Sequence, residues 1–412
     1  MSATLKFGAG SWAAKEGSVL AYNDLNNNYK PLPFTFTRAS SATRVNESGL
    51  IESVGSGIPR IDFLNNADGH LLLEPSRTNS ALYSEQYGNS LINVTVSRND
   101  VSSPDGEVTA DRIIDNSSNG EHLLSYNSAG SVTNGASYTF SAFFKSDGTG
   151  GRGVIRFYTG AWQYSVYNLD SGSVSYTSGG TSNIVNYGDG WYRCSLTVTA
   201  VSDYSGLVGQ IGIANSSNKY TYQGASSLGV YFWGIQWEAG SYATSYIPTS
   251  GSSVTRVAEV ASQTVPSGII GQTEGTIYGE FNVESISTGF RLVSTISSGT
   301  SVNFVASIIN GTTFIARIRA NSGALRDVNK TNLTNGNHKY AIAYADSDLT
   351  FYVDGVLVGQ NTSASVAFNL ELIKLTVGND ILGSNELSGG VSKIQLYDTR
   401  LSNAELAALT SL

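Results

Sequence analysis

The 412-residue chain is short of several things. It holds one cysteine, Cys194, which excludes an intrachain disulfide and any cysteine-built zinc site. Its three histidines, His70, His122 and His338, lie far apart and in no metal-ligand spacing. Charged residues make up 14%, against roughly 25% in an average soluble domain. The 24 Lys+Arg and 32 Asp+Glu leave a net charge of −8, with no basic cluster to offset phosphates, so nucleic acid is excluded as a partner. No stretch nears the ~18 apolar residues of a membrane-crossing helix, and no membrane insertion is expected. The opening MSATLKFGAGSW has no apolar leader core, so synthesis in the cytoplasm is expected.

What is present is 40% hydrophobic and 10% aromatic residues with 45 glycines, set among abundant Ser, Thr and Asn. Disordered chains lack aromatics and carry high charge, so this one folds. At ~100–200 residues per domain its length predicts two or three domains. Short alternating runs separated by Gly, Ser and Asp turns predict an all-β chain of two antiparallel β-sandwich (jelly-roll) domains in tandem.

Residues 1–78 hold four of the seven prolines (Pro31, Pro33, Pro59, Pro75) and read as an extended N-terminal anchoring arm, since proline cannot donate to a sheet ladder. Residues 79–248 form the first sandwich. In its clearest strand, 191–199, Tyr192, Cys194, Leu196 and Val198 alternate with Arg193, Ser195 and Thr197. A linker is expected over 249–263 and a second sandwich over 264–412. One short helix is predicted at the end, where Ser402 and Glu405 make a capping box and Leu401 and Leu406 occupy the staple positions.

Three constellations could carry chemistry. Glu280 and Glu284, four apart on one predicted strand, offer paired carboxylates for glycoside hydrolysis. Their Cβ atoms are about 13 Å apart on an extended strand, which favours a plain polar face, and no catalysis is expected. Asn379 and Asp380 follow a strand ending at Gly378 and are the alternative metal site, with calcium as the ion; turn capping is the simpler reading. Asp24, Asn26 and Asn28 imitate the start of a calcium loop, but Tyr29 and Thr35 stand where glycine and glutamate are needed. Sugar recognition uses aromatic faces together with amide, hydroxyl and guanidinium donors. Trp162, Tyr158, Tyr164 and Tyr167 lie on adjacent predicted strands with Arg156 and Gln163, and half or more of those rings are expected in the core.

The segment Phe36–Asn79, FTRASSATRVNESGLIESVGSGIPRIDFLNNADGHLLLEPSRTN, resembles one common in phage tail-fibre and other virion proteins. There it precedes a jelly roll similar to carbohydrate-binding modules, matched here by 103–112 (SPDGEVTADR), 188–199 (GDGWYRCSLTVT) and 231–248 (YFWGIQWEAGSYATSYIP). The last block resembles laminin-G/concanavalin A-like domains through 336–359 (GNHKYAIAYADSDLTFYVDGVLVG) and 389–409 (GGVSKIQLYDTRLSNAELAAL). These resemblances imply a fibre or capsid decoration subunit on the virion, a homo-oligomer with the trimer as the common form. They imply an arm bound to other virion proteins and non-catalytic binding of host surface polysaccharide. A glycan-degrading enzyme and a purely structural subunit are the alternatives.

Overall fold

The computed structural model describes residues 2–6, 14–15, 18–23, 30–86, 90–284, 286, 289–378 and 387–412. Among the described residues it is nearly all-β, built of antiparallel sheets with one short helix, as the sequence predicts. The chain forms two compact units: one from 1–47, 53–76 and 257–412, the other from 48–52 and 77–256.

The second unit is a sandwich of two six-stranded sheets. One runs Ser90–Ile92, Leu123–Val132, Tyr204–Ala214, Arg152–Tyr158, Trp162–Asn168, Ser173–Ser178. The other runs Val94–Val101, Ala110–Asp115, Gly229–Ala239, Ser137–Ser146, Trp191–Thr199, Thr181–Gly188. Period-two alternation sends Ile155, Phe157, Tyr167 and Ile211 inward from the first sheet to meet Phe140, Phe144, Leu196 and Trp237 from the second. Cys194 lies among them as a small core residue, and burial pushes its thiol pKa well up.

The first unit pairs an eight-stranded with a nine-stranded sheet. The core between them includes Ile277, Phe281, Phe314, Tyr340, Phe351 and Leu375. Asp354 and Gly355 join strands Asp348–Val353 and Val356–Asn361 in a two-residue turn with both φ angles positive, which suits an Asp-Gly pair. The helix Asn403–Thr410 starts on the predicted capping box, with Ser402 N–H donating to Glu405 Oε2 at 2.7 Å and Glu405 N–H to Ser402 Oγ at 3.3 Å. Its Leu406 is buried against Tyr278, Ala341, Ala343 and Tyr352 on the outer face of the eight-stranded sheet.

The division differs from the expected arm, linker and tandem order. Strand Lys30–Thr37 is a member of the nine-stranded sheet, and His70–Leu73 pairs with Gly389–Tyr397 in the eight-stranded one. The prolines did not prevent this. Pro31 and Pro33 lie where the strand pairs with Ser18–Asn23 alone, while Val260–Thr264 joins only at Thr35, Phe36 and Thr37. Strands Val254–Arg256 and Val260–Thr264 also form across the linker expected over 249–263, with only Thr264 beyond it.

A buried ionic cluster fastens the early segment into this unit. Glu259 Oε1 accepts from Arg38 Nη1 at 2.9 Å and from Arg60 Nε at 2.6 Å, and Glu259 Oε2 accepts from the Glu74 N–H at 3.0 Å. Arg60 Nη2 also lies 2.9 Å from Glu74 Oε2, and none of the four side chains is more than 1% exposed. Burial alone would lower the Arg60 pKa, but the Glu259 and Glu74 carboxylates raise it above the ordinary arginine value.

Candidate functional site

Strand alternation decides which side chains share the outer face of the first six-stranded sheet in the unit built on 77–256. On Arg152–Tyr158, Ile155 and Phe157 point into the core, so Val154, Arg156 and Tyr158 point outward. On the next strand Trp162, Tyr164 and Val166 stand directly opposite Tyr158, Arg156 and Val154. The sheet therefore brings four of the six residues expected to recognise sugar onto one surface.

The rings form two groups. Tyr158 lies edge-to-face with Trp162 at 5.2 Å and with Tyr204 at 4.8 Å. Tyr164 packs on Tyr176 at 5.2 Å and on Tyr220 at 4.8 Å. Burial, together with Tyr176, pushes the Tyr164 phenol pKa up to about 12, so that hydroxyl keeps its proton at ordinary pH. Trp162, Tyr176 and Tyr204 remain 39%, 43% and 37% exposed, enough to offer ring surface to a ligand.

Arg156 joins the two groups. Its guanidinium carbon sits 3.9 Å from the Trp162 centroid and 5.3 Å from that of Tyr220. Nη1 donates to Glu121 Oε1 at 3.1 Å and to Gln210 Oε1 at 3.0 Å, while Gln210 Nε2 donates to Ser125 Oγ at 2.7 Å. Arg156 Nε is buried without a hydrogen-bond partner, consistent with a guanidinium held between two rings.

Two residues of the expected set are not on this face. Gln163 stands opposite Phe157 and so alternates to the inner side, with its Oε1 buried and without a hydrogen-bond partner. Tyr167 is wholly buried in the core and donates to the Ser195 carbonyl at 2.7 Å. The face gains Tyr176, Tyr204, Tyr220 and Glu121, which come from separate strands and loops. The usable signal for Tyr176 was its alternation on an edge strand that leaves it exposed.

Glu280 projects from strand Glu274–Val283 between Lys339 and Lys393 on the neighbouring strands. It accepts from the Tyr278 hydroxyl at 2.6 Å and lies 3.7 Å from Lys393 Nζ. Asn282, between the two glutamates, donates to Asn337 Oδ1 at 2.8 Å. Glu284 falls just past the strand end, where its N–H meets the Ser388 carbonyl at 3.4 Å. Asn379 and Asp380 lie outside the described residues, as do Asp24, Asn26 and Asn28. Among the described residues no group of three or more His, Cys, Asp or Glu could hold a metal ion.

The histidines serve their own surroundings. The His122 ring nitrogens lie 2.8 Å from the Asn93 carbonyl and 3.2 Å from that of Tyr222. His70 is buried, and burial lowers its pKa. His338 Nδ1 meets Asp354 Oδ2 at 2.8 Å, and its Nε2 meets the Thr334 carbonyl at 2.9 Å.

Residues 258–407 match the concanavalin A-like lectin/glucanases superfamily, in its third laminin G family. The match covers a little over a third of the chain, within the unit that the helix closes. No curated protein matches the chain by sequence. Among solved structures, the Ruminococcus gnavus IT-sialidase CBM40 is similar at 15% identity and a TM-score of 0.30, covering 34% of this chain and 84% of its own. Domain 4 of AbnA, a GH43 extracellular arabinanase from Geobacillus stearothermophilus, is similar at 10% identity and a TM-score of 0.31, covering 41% and 82%. The binding domain of botulinum neurotoxin serotype G is similar at 8% identity and a TM-score of 0.28, covering 37% and 42%. At these TM-scores no conclusion about this chain's ligand rests on the likeness.

Proposed function

We propose that the protein binds glycans without cleaving them, through the outer face carrying Trp162, Tyr158, Tyr164, Tyr176 and Tyr204. The observation that carries this reading is the exposure of Trp162, Tyr176 and Tyr204 on one sheet, beside the Arg156 guanidinium and the Glu121 carboxylate. Sugars present C–H faces to aromatic rings and hydroxyls to such groups, and exposed aromatics clustered on a rigid sheet are recognition surface. Glycan-array binding by the whole protein tests it. Trp162→Ala is expected to weaken the best glycan at least about fivefold with unchanged melting, the scale of an aromatic contact worth more than ~1 kcal/mol. An array without hits removes the reading.

Non-catalytic action is part of the proposal. Glu280 is tied to Tyr278 and Lys393, and neither carboxylate belongs to the aromatic face. No depolymerisation of a bound polysaccharide is expected, and Glu280→Gln and Glu284→Gln are expected to leave binding unchanged.

The resemblance of Phe36–Asn79 extends the proposal to a place on a phage virion, as a fibre or capsid decoration subunit that touches host surface polysaccharide. Immunogold labelling of assembled particles tests that placement. Labelling at neither tail nor capsid would remove it while leaving glycan binding standing.

A further inference from the structure

The positive charge at the centre of the aromatic face is already answered. Arg156 is 9% exposed, its guanidinium lies between Trp162 and Tyr220, and its Nη1 donates to Glu121 and Gln210. The Glu121 side chain is 37% exposed, so its carboxylate stands at the surface beside the arginine. That is the position a sugar carboxylate would need in order to reach Arg156. A cation already bound to an internal carboxylate offers little to a second anion, and two carboxylates on one guanidinium repel each other.

Arg152 is the other cation on this strand and shares its outward parity. It lies four residues away, about 13 Å along the strand and beyond Val154, where its Nη1 donates to Asn218. The exposed rings Trp162, Tyr176 and Tyr204 are neutral, and the pairing of Arg156 with Glu121 leaves the centre of the face without net charge.

We propose that this face selects neutral oligosaccharides over uronic or sialic ones, with Glu121 as the specificity-determining residue and Arg156 as the residue that positions Trp162. The inference rests on the glycan-binding reading above. Glu121 acts as a resident carboxylate that excludes an acidic sugar. Arg156 fixes the indole ring from one side and leaves the rest of it for stacking.

The experiment titrates the full chain with a neutral galacto-oligosaccharide and with an oligogalacturonate of equal length. Wild type is expected to bind the neutral probe with less than a twofold change between about 0.01 M and about 1 M salt, since stacking is not screened. It is expected to bind the acidic probe at least about tenfold more weakly, the scale of one charge-assisted hydrogen bond. Glu121→Ala vacates the carboxylate position and is expected to gain about tenfold for oligogalacturonate at low salt, a gain lost at high salt. A purely structural role for the pair would yield no such gain. Glu121→Gln, which keeps the side chain's volume, is expected to gain less, and melting curves of both variants check that the fold is kept.

Wild type preferring the acidic probe in a salt-dependent way would overturn the inference while leaving glycan binding intact. Failure of Glu121→Ala to gain acidic binding while folded would overturn it as well. If neither probe nor any array glycan binds wild type, the glycan-binding reading fails and this inference falls with it.

Discussion

At the residue scale, the burial of a charge decides how much its pairing matters. Glu259 serves two arginines and a backbone N–H with no exposed surface, so removing it takes one carboxylate away from two buried guanidinium groups, Arg60 keeping Glu74. Glu259→Ala is expected to destabilise the unit by about 3–5 kcal/mol, read as the loss in a denaturant titration. The Lys145–Asp189 pair at 3.0 Å is the contrast: the Asp189 side chain is 84% exposed, and Asp189→Asn is expected to cost below about 1 kcal/mol. Neither pairing was legible in the sequence. Arg38 and Glu259 are 221 residues apart, and nothing local marks an arginine as buried. Cys194 was legible, because alternation within one strand places it on the apolar side. The carbohydrate set was legible in part by the same rule. Trp162, Tyr164, Arg156 and Tyr158 share outward parity, whereas Gln163 and Tyr167 have the opposite parity, and period two carries them inward.

At the element scale, strand Gly336–Ala345 begins beside a turn that carries a titratable pair. Burial works against a charged His338 ring, but its hydrogen bonds to Asp354 and the Thr334 carbonyl, and the carboxylate's charge, raise its pKa above 6.5. Burial likewise works against an ionised Asp354, but hydrogen bonds from His338 and the Lys339 N–H hold its pKa below 3.8. The raised histidine contributes stability that is complete below pH 6.5 and is lost as pH rises through its folded pKa. The depressed aspartate contributes above pH 3.8 and is lost as pH falls through its folded pKa. The pair is thus worth most between roughly pH 4 and 6.5. His338→Asn is expected to lower unfolding free energy more at pH 5.5 than at pH 8.5, and equal losses at both would refute the coupling. The helix Asn403–Thr410 was legible because the signals for its start, capping box and staple, are local. The strand at 260–264 was not, because TSGSSVTRVAEVASQ reads as a linker until Ala261 is seen buried between two strands.

At the scale of the whole molecule, the two units differ in how their chain is supplied. The unit carrying the aromatic face takes nearly all its residues from one continuous run, 77–256. The other is assembled from segments on both sides of that run. A fragment of 77–256 is expected to fold and keep glycan binding. Removal of 1–76 is expected to abolish the cooperative melting of the remaining unit, since it deletes three strands that pair with the rest of that unit and three members of the Glu259 cluster. The same topology constrains synthesis. His70–Leu73 pairs with Gly389–Tyr397, so on the ribosome an early strand waits for a partner made more than three hundred residues later. At ~5–20 residues per second that wait is at least about fifteen seconds. The intervening unit can fold during it, while the early apolar strands stay exposed to chaperones and to neighbouring nascent chains.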